Sequence, residues 1–457
     1  MTPEVVQLNR ATSLVRIPPS DGVPLTPRVR RVLDSAPMRR LASISQLGMV
    51  SLVYPGATHS RLEHSLGVYL NALRLLARFG DDPRFQAIVD PPAADAFLLA
   101  ALLHDVGHWP FCHPIEDLQL AGLRAHESRV SDWIAKSELA ECIDRDWQCE
   151  TKDVVELLEP SGTLSRLSSA GRDFLRSCLS GPVDIDKLDY LQRDSLHAGV
   201  PYGRNFDVAR LIGSMCIHPS KPRLAIGEKG RTAAEMMVFS RYVMFSEVYW
   251  HHTVRSATAM LQRAVFSVQR SIPLESTFGL SDAEWIARLV QVTGSDACLA
   301  TCGASDLLDG LFGRQRRLFK RVAEFNAIDR REVHQQIARR PYGTLVAASE
   351  KLAEQLTRLT GQLIRGWEVL IDAPPVKLEV DINVDVVARD QTAKKLADVS
   401  AVAKALADRQ FDDQVKQVRI FVRPELRTKL FQTLSTADAW SSLLLDAISA
   451  VNDEIPL

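Results

Sequence analysis

Apolar residues recur at helical spacing over most of the chain. Between about residues 27 and 361 they return every three or four positions, as in FLLAALLHDVG (97–107), VVELLEP (154–160) and TLVAASEKLAEQLTRL (344–359). That period is typical of helices that bury one face. PRLAIGEKGR (222–231), with a short apolar run and two glycines, instead predicts a small hairpin. The pattern therefore predicts a large, mainly α-helical domain.

The pattern changes after the helix-breaking stretch DAPPVK at residues 372–377. In KLEVDINVDVV (377–387) apolar and polar residues alternate strictly, which indicates a half-buried strand. A helical stretch (392–410), a second strand, VRIFVRP (418–424), and a final helix follow. We expect a small α+β lobe at the C-terminus. The predicted division is an N-terminal extension (1–33), a helical domain (34–370) and this lobe (371–457).

Composition and charge limit the function classes. Of the 457 residues 46% are hydrophobic and 24% charged, as in an ordinary soluble protein. The 55 basic and 56 acidic side chains give a net charge of -1, so the chain lacks the overall basic field of a non-specific nucleic-acid binder. RVRRVLD (28–34) and MRRLAS (38–43) still form a local basic area, which leaves nucleic acid an open alternative.

The lack of a recognisable targeting pattern and the scattered cysteines predict a cytoplasmic location. The N-terminus has neither the basic start nor the apolar run of a signal peptide, and no later stretch approaches about 18 uninterrupted apolar residues. We therefore expect a cytoplasmic protein without a membrane partner. The seven cysteines are scattered and lack the paired spacings of a zinc ribbon or a disulfide framework, which predicts reduced thiols.

The stretch ALLHDVGHWPFCH, residues 101–113, carries three histidines and an aspartate after an apolar run. Because Gly107 discourages helix continuation, HDVGH is predicted near the C-terminal end of a helix. His104 and His108 then lie one turn apart, and Asp105 lies about 100° around the axis from His104. By itself a buried His-Asp dipeptide is more often a hydrogen-bonded pair than a pair of metal ligands.

Two other charged clusters favour a metal site. YPGATHSRLEHSLGVYL (54–70) places His64 at the start of an apolar helical pattern, and DIDKLDYLQRD (184–194) contains four aspartates. An ionised group taken out of water costs several kcal/mol unless it is paired or bound to a metal. A ligand set of two imidazoles and two carboxylates suits Mn²⁺, Fe²⁺, Co²⁺, Ni²⁺ or Zn²⁺. That set is His64, His104, Asp105 and Asp186.

The order H…HD…D resembles the HD superfamily of metal-dependent phosphohydrolases. The fuller strings YPGATHSRLEHSLGV, HDVGHWPFCH, the HE pair at 126–127 and DIDKLDYLQRD resemble its deoxynucleoside triphosphate triphosphohydrolase branch, which includes the vertebrate SAM and HD domain protein. The resemblance runs from about residue 34 to residue 424. It implies a helical HD core, a divalent ion on the ligand set above, and hydrolysis of a dNTP to a deoxynucleoside and inorganic triphosphate. Mg²⁺ accompanying the substrate phosphates is left open.

The resemblance also implies roles for further residues. Near the α-phosphate, His113 would donate a proton to the leaving 5′-oxygen, while His108 and the pair His126-Glu127 would contact the phosphate and order the water. The residues implied to bind the triphosphate are Arg61, Lys187, Tyr190 and Arg241. Those implied to bind the sugar are Gln46 and Asp194, at the 3′-OH, and Tyr249, which would exclude a 2′-OH.

The chain departs from the vertebrate pattern in two places. Phe245 stands one turn before Tyr249 where those members carry a histidine, which removes a polar contact near the substrate. In the region that binds an activating guanine nucleotide, Asp34 matches, but Arg39 and Ala42 replace a glutamine and the base-reading arginine. Guanine-specific activation is therefore not expected, although Arg39 and the adjacent arginine leave an anionic effector open. Family members form dimers, tetramers or hexamers, so we expect a homo-oligomer.

Three functions remain open. The first is a dNTP triphosphohydrolase that controls nucleotide pools or deprives a phage of precursors. The second keeps the HD site for another phosphoester, such as a (d)NMP, a cyclic dinucleotide or ppGpp. The third is a nucleic-acid or partner-binding module with a regulatory HD site. The string DIDKLDY and Tyr249 favour the first, and the intact ligand set argues against the third.

Overall fold

The computed structural model describes residues 2–8, 13–159, 166–295, 302–374, 383–406 and 415–454. Its α-helices, in chain order, are α1 (Pro3–Gln7), α2 (Pro27–Leu33), α3 (Ala36–Leu41), α4 (Arg61–Phe79), α5 (Pro83–Gln86), α6 (Pro91–Leu103), α7 (Cys112–Glu116), α8 (Val130–Ala135), α9 (Glu138–Asp146), α10 (Thr151–Leu158), α11 (Ser169–Leu179), α12 (Ile185–His197), α13 (Val208–Ser214), α14 (Arg231–Met244), α15 (His252–Val268), α16 (Asp282–Ser295), α17 (Ala304–Phe312), α18 (Arg331–Ile337), α19 (Tyr342–Thr360), α20 (Leu396–Val399), α21 (Ala401–Ala405), α22 (Pro424–Thr433) and α23 (Ala437–Glu454). The strands are β1 (Leu14–Ile17), β2 (Ser20–Pro24), β3 (Met215–Ile217), β4 (Leu224–Gly227), β5 (Lys320–Phe325), β6 (Val369–Asp372), β7 (Asp385–Val387), β8 (Ala393–Lys395) and β9 (Val418–Val422). A π-helical turn at Phe245–Tyr249 follows α14.

The chain folds into two compact units, each discontinuous in sequence. Unit 1 comprises Met1–Trp109, Arg124–Met244 and Val380–Asp408, and unit 2 comprises Pro110–Leu123, Phe245–Glu379 and Arg409–Leu457. The predicted boundaries at residues 33 and 370 stay a prediction. The predicted fold class, mainly α with a small strand-containing C-terminal region, is confirmed. None of the described helices is long and apolar enough to cross a lipid bilayer.

The core of unit 1 is built around α4 and α6, which pack against each other, with α12 on α4 and α10 on α6. Every residue of α6 from Asp95 to Leu103 is buried, as expected of a helix that is apolar all round. The helix starts after Asp90, whose side chain accepts a hydrogen bond from the Ala93 amide at 2.9 Å. Its C-terminal end delivers the HDVGH segment.

A four-stranded sheet in unit 1 has the order β3-β4-β7-β8, with β4 and β7 parallel and the other pairs antiparallel. The predicted hairpin forms, but its apolar run supplies only the second strand, because residues 215–217 supply the first. The predicted strand at 377–387 is described only from residue 383. There all three residues of β7 are buried, and Asp385, predicted on the polar face, pairs with Lys395 at 2.8 Å, so the half-buried prediction is wrong for this strand. Residues 375–382 lie outside the described residues.

Two parts of the helical prediction need correction. In the stretch 392–410, β8 takes the start, and α20 and α21 follow it. Residues 407–410 lie outside the described residues. In unit 2, β5 falls inside the region predicted to be helical and pairs with β9, which also pairs with β6. The apolar side chains of this antiparallel sheet are buried with α19 and α23 in one hydrophobic core.

Candidate metal and phosphate site

Three helix ends of unit 1 supply the predicted metal ligands. His64 lies in the first turn of α4, which begins after Ser60, whose hydroxyl accepts a hydrogen bond from the Glu63 amide at 3.3 Å. His104 and Asp105 follow the last residue of α6. Asp186 lies in the first turn of α12. The four predicted ligands therefore come from the ends of three helices that are distant in sequence.

The structure brings all four predicted ligands together. His64 Nε2 lies 3.0 Å from Asp186 Oδ1 and 3.2 Å from His104 Nε2. His104 Nε2 lies 3.3 Å from Asp105 Oδ1 and 3.8 Å from Asp186 Oδ1. Adjacent ligands of an octahedral ion, each about 2.1 Å from it, stand about 3 Å apart. The donor atoms of His64, His104 and Asp105 all lie within 4.8 Å of one another, a spacing that suits one divalent ion, and Asp186 adjoins this group through the two histidines.

The tautomers of the two histidines also favour a cation. His64 Nδ1 lies 2.8 Å from Asp189 Oδ2, and His104 Nδ1 lies 3.0 Å from the carbonyl oxygen of Ala101. Both partners are acceptors, so each Nδ1 carries the proton and each Nε2 presents a lone pair when the imidazole is neutral. Two lone pairs 3.2 Å apart repel each other unless a proton or a metal ion lies between them.

Without an ion, His64 holds the positive charge that this cluster requires. Burial alone would lower the pKa of His64, but hydrogen bonds to Asp186 and Asp189 and their negative charges raise it to about 10. A divalent ion would replace that proton. His64 is 2% exposed, whereas the side chains of His104 and Asp186 keep 16% and 31% of their exposure, so part of the donor set remains accessible.

Around Asp105 lie three further predicted residues. Arg61 Nη1 donates to Asp105 Oδ2 at 2.8 Å, and His108 Nδ1 lies 3.1 Å from Asp105 Oδ1. The ring of His126 packs against that of His108, with ring centroids 3.8 Å apart and the planes tilted by 39°, and both residues are buried. Burial and the nearby Arg61 lower the pKa of His108 well below its usual value, so this imidazole is neutral. Glu127, next in sequence, is exposed.

A group of cationic and phenolic side chains borders Asp186. Lys187 Nζ donates to Asp184 Oδ2 at 2.7 Å. Burial alone would lower the pKa of Lys187, but Asp184 raises it, so the ammonium is charged. Arg241 is buried on α14, and its charge acts on both Lys187 and Tyr190. The structure thus brings the predicted phosphate-binding Lys187, Tyr190 and Arg241 into one neighbourhood.

The predicted sugar-binding pair lies at the other end of α12. Asp194 is buried, and its Oδ1 lies 3.0 Å from His59 Nε2. The backbone N–H of Gln46 donates to the carbonyl oxygen of His59 at 2.9 Å, which links both predicted residues to one histidine. The side-chain oxygen of Gln46 is buried and has no hydrogen-bond partner among the described residues. A hydroxyl donor would satisfy this oxygen.

Two predicted residues belong to unit 2. His113 is exposed on α7, and Tyr249 is half-buried in the π-helical turn. Tyr249 packs edge-to-face with Phe245, with ring centroids 5.0 Å apart. Phe245, which stands where vertebrate members carry a histidine, therefore contacts the tyrosine directly. The catalytic role of His113 and the sugar-excluding role of Tyr249 stay predictions.

Gly107 explains how the HDVGH turn approaches its neighbour. A Cβ on Gly107 would collide with the backbone carbonyl oxygen of His126. The glycine therefore lets the turn after α6 lie directly against the segment that carries the His126 ring. The HD motif and the HE pair, separate in sequence, meet because this position has no side chain.

Arg40 has a structural partner that the sequence did not indicate. Its guanidinium donates to the carbonyl oxygens of Val106 and His108 at 2.6 and 2.7 Å. It also lies over the ring of Trp133, 4.0 Å from the centroid. Arg40 therefore holds the HDVGH turn, whereas Arg39 is exposed. Binding of an anionic effector in this region stays a prediction.

Sequence reasoning missed the residues behind His64. Asp189, Arg193 and Glu63 form a buried or half-buried ion chain that ends on His64 Nδ1. Asp189 lies three residues after Asp186 on the same helix, so it faces a similar direction. That spacing within DIDKLDY was the available signal. No comparable signal marked Glu63 or Arg193.

Comparisons with known proteins agree with this description. The family model described as HD domain matches residues 61–160, and the one described as HD associated region matches residues 206–436. The first range contains the segments that carry His64, His104 and Asp105. The second covers about half of the chain.

Two curated relatives and one solved structure illustrate the similarity. The chain is 28% identical over 385 residues to an uncharacterized protein of Methanocaldococcus jannaschii, covering 82% of this chain and 72% of that protein. It is 28% identical over 291 residues to deoxynucleoside triphosphate triphosphohydrolase SAMHD1 of Xenopus laevis, covering 56% of this chain and 45% of that protein. The crystal structure of a phosphohydrolase from Bacteroides thetaiotaomicron superposes with a TM-score of 0.65 at 23% identity, covering 90% of this chain and 100% of that chain, and so shares the fold.

Proposed function

The chain belongs to the family of proteins that join an HD domain to an HD-associated region, and we propose that it is a metal-dependent dNTP triphosphohydrolase. The proposed reaction is attack of water at the α-phosphorus of a dNTP, which releases a deoxynucleoside and inorganic triphosphate. We propose a cytoplasmic homo-oligomer that limits dNTP pools, either for homeostasis or against phage. The similarity to deoxynucleoside triphosphate triphosphohydrolase SAMHD1 of Xenopus laevis supports this substrate class.

The observation that carries the proposal is the facing pair of imidazole Nε2 atoms, each close to a carboxylate oxygen. His64 Nε2 and His104 Nε2 stand 3.2 Å apart, with a carboxylate oxygen of Asp186 3.0 Å from the first and one of Asp105 3.3 Å from the second. Two imidazoles and two carboxylates suit a divalent ion such as Mn²⁺, Fe²⁺, Co²⁺, Ni²⁺ or Zn²⁺. When bound, such an ion polarises a phosphate oxygen and lowers the pKa of a coordinated water.

The remaining roles follow from charge. A triphosphate carries about four negative charges, so phosphate binding needs cations beyond the ion. We assign this work to Lys187, Arg241 and Arg61, with the Tyr190 hydroxyl as a further donor. Arg61 already bonds to Asp105 at 2.8 Å, so it would orient that ligand while it faces the phosphate.

We assign the water and the leaving group to histidines. Neutral His108, with His126 and Glu127, would order the water at the α-phosphate. His113 would donate the proton that the 5′-oxygen needs when it leaves, because an imidazole titrates near working pH.

We assign the sugar to three residues. The carboxylate of Asp194 would accept the hydrogen bond from the 3′-OH, and the side-chain amide of the neighbouring Gln46, whose oxygen is buried, would orient the same hydroxyl. Tyr249 would exclude a 2′-OH by shape. These assignments predict a preference for deoxyribonucleotides over ribonucleotides.

The test is product analysis with the Mn²⁺-loaded full chain. Each dNTP and NTP is incubated separately, and inorganic triphosphate and nucleoside are quantified by anion-exchange chromatography. His104→Ala and Asp186→Asn should lower triphosphate release by at least about 100-fold, because each removes a donor to the ion that activates water. Asp173→Asn, on the exposed side of α11, is the matched carboxylate control and should leave the rate unchanged.

Other outcomes separate the alternatives. Wild-type rates in His104→Ala and Asp186→Asn would refute the site. Consumption of ribonucleotides, monophosphates, cyclic dinucleotides or ppGpp instead of dNTPs would keep an HD phosphohydrolase but replace the substrate. Binding of nucleic acid with no hydrolysis of any nucleotide would favour a binding module with a regulatory HD site.

A further inference from the structure

Of the two predicted histidine ligands, only His64 has its Nδ1 atom hydrogen-bonded to a carboxylate among the described residues. Its Nδ1 lies 2.8 Å from Asp189 Oδ2, whereas the corresponding atom of His104 meets a backbone carbonyl. We propose that Asp189, fixed by Arg193 and Glu63, is the positioning residue that sets the tautomer and ring orientation of His64 for metal binding. The inference rests on the proposed metal site but not on the identity of the substrate.

Asp189 is held from two directions. Arg193 Nε donates to Asp189 Oδ2 at 2.8 Å and Arg193 Nη2 donates to Asp189 Oδ1 at 2.7 Å, a two-point contact that fixes the carboxylate plane. The same Oδ2 accepts from His64 Nδ1. Since both Asp189 and Arg193 are buried, water does not compete for these bonds. An anion held in this way keeps the proton on Nδ1 and leaves Nε2 as the lone pair.

The chain of alternating charge continues outward. Arg193 Nη1 donates to Glu63 Oε1 at 2.7 Å and also to the carbonyl oxygen of Pro18. Glu63 Oε1 lies 2.9 Å from His197 Nε2. Arg193 therefore balances two carboxylates, one on each side of it. Such partners behind a metal-ligating histidine commonly change metal affinity by about 10- to 100-fold.

Gly67 makes this arrangement sterically feasible. A Cβ on Gly67 would overlap Asp189 Oδ1 and Arg193 Nη2, so the ion pair lies directly on the backbone of α4, one turn after His64. The absence of a side chain here lets α12 place its buried ion pair against α4. The glycine in EHSLGV thus has a role in the support of the ligand, and not only in helix packing.

The chain offers a matched control in Asp95. Asp95 is also fully buried in unit 1, and it also receives two bonds from one guanidinium, those of Arg28 at 2.8 and 2.9 Å. Asp95 touches no predicted metal ligand in its described contacts. Asp95→Asn and Asp189→Asn therefore remove the same charge from the same kind of ion pair, and only the second change lies behind His64.

The experiment is a Co²⁺ titration of the full-length variants, followed by visible absorption, which reports the ligand field of the bound ion. Asp189→Asn should bind Co²⁺ about 10- to 100-fold more weakly, with an altered spectrum. Asp95→Asn should keep the wild-type Kd and spectrum even if its melting temperature falls. A merely structural role for Asp189 would lower the melting temperature and leave the spectrum per bound ion unchanged.

Several results would overturn the inference. One is a Kd for Asp189→Asn within threefold of wild type with the same spectrum, and another is an equal loss of affinity in Asp95→Asn. If Asp189→Asn does not fold, Glu63→Gln decides: at least threefold weaker binding supports the chain, and unchanged binding refutes it. Wild-type protein that binds no Co²⁺ overturns this inference and the proposed metal site together. A wild type that binds Co²⁺ but hydrolyses no dNTP overturns only the proposed substrate.

Discussion

Metal binding should displace a proton from His64, so the affinity for a divalent ion should rise with pH. In the metal-free protein the carboxylates of Asp186 and Asp189 raise the pKa of His64 to about 10, against an ordinary value of 6.5. The ring is therefore protonated at neutral pH. The metal needs the lone pair on Nε2, the atom that faces Asp186 Oδ1 at 3.0 Å, so the Nε2 proton must leave.

The size of the effect follows from the pKa. Removing a proton from a group of pKa about 10 at pH 7 costs about 4 kcal/mol, at about 1.36 kcal/mol per pH unit. Each unit of pH below 10 adds the same increment, so the apparent Kd should improve about tenfold per pH unit between pH 6 and 7. The sign is definite: acid favours the proton, and base favours the ion.

Isothermal titration calorimetry with Mn²⁺ measures both quantities. Titrations in buffers of different ionisation enthalpy at pH 6.5 should show about one proton released per ion, and the Kd at pH 6 and 7 should differ about tenfold. His334→Gln is the histidine control, because His334 bonds the carbonyl oxygen of Lys416 in unit 2 and should not change the proton count. Zero proton release with a pH-independent Kd would refute the reasoning.

The same pKa has a consequence for stability without metal. Because the folded-state pKa of His64 lies above its unfolded value, protonation stabilises the metal-free fold fully below about pH 6.5. This contribution should decline as the pH rises towards 10. Differential scanning calorimetry of chelator-treated protein should show a melting temperature that falls from pH 7 to 9, and added Mn²⁺ should reduce that fall. An equal fall with and without Mn²⁺ would contradict the assignment.

Three substitutions test the support of the site and of unit 1. Gly107→Ala should destabilise the protein by about 1–3 kcal/mol, because its Cβ would collide with the His126 carbonyl. Gly213→Ala is the control and should be neutral or slightly stabilising, because its Cβ would enter open space. Urea unfolding measures the free energy of unfolding of both variants. Arg28→Ala should cost about 3–5 kcal/mol, since it leaves the buried carboxylates of Glu4 and Asp95 without their cation. Arg31→Ala should cost less than about 1 kcal/mol, because Arg31 is 45% exposed and its partner Asp146 keeps an ion pair with Arg145. Arg40→Met should release the carbonyl oxygens of Val106 and His108 and lower the rate of dNTP hydrolysis by more than its loss of stability explains, and a rate that follows the folded fraction would contradict this.

The sequence predicted the helical class and the ligand segments because both depend on local pattern. The apolar run of α6 ends at HDVGH, and the predicted helix end is where the structure has it. The alternating pattern near residue 384 was interpreted as half-buried because a single strand does not reveal its neighbours. In the structure all of β7 is buried, and the Asp385 carboxylate on the predicted polar face is paired with Lys395 and Arg223. Contacts with residues distant in sequence, not local propensity, decide burial there.

The same limit applies to the site. The clustering of His64, His104, Asp105 and Asp186 was predictable because burying such a polar or ionised side chain costs free energy unless it finds a partner, and their role as metal ligands stays a prediction. Arg193 carries an equally unusual buried charge, yet its partners come from residues 63 and 189 and from the backbone at residue 18. No spacing along the chain encodes contacts between α4, α12 and the N-terminal hairpin.

The two motif glycines connect these observations. Gly67 and Gly107 have ordinary helical or turn conformations, so neither is needed for a left-handed backbone. Each instead stands where a Cβ would overlap atoms of another segment: the Asp189–Arg193 ion pair at Gly67 and the His126 carbonyl at Gly107. The two contacts bring α12 and the 126–129 segment against the helices that carry the histidine ligands. At both positions the absence of a side chain lets another segment approach the backbone more closely than a methyl group would allow. We expect this close approach to hold the predicted metal ligands about 3 Å from one another.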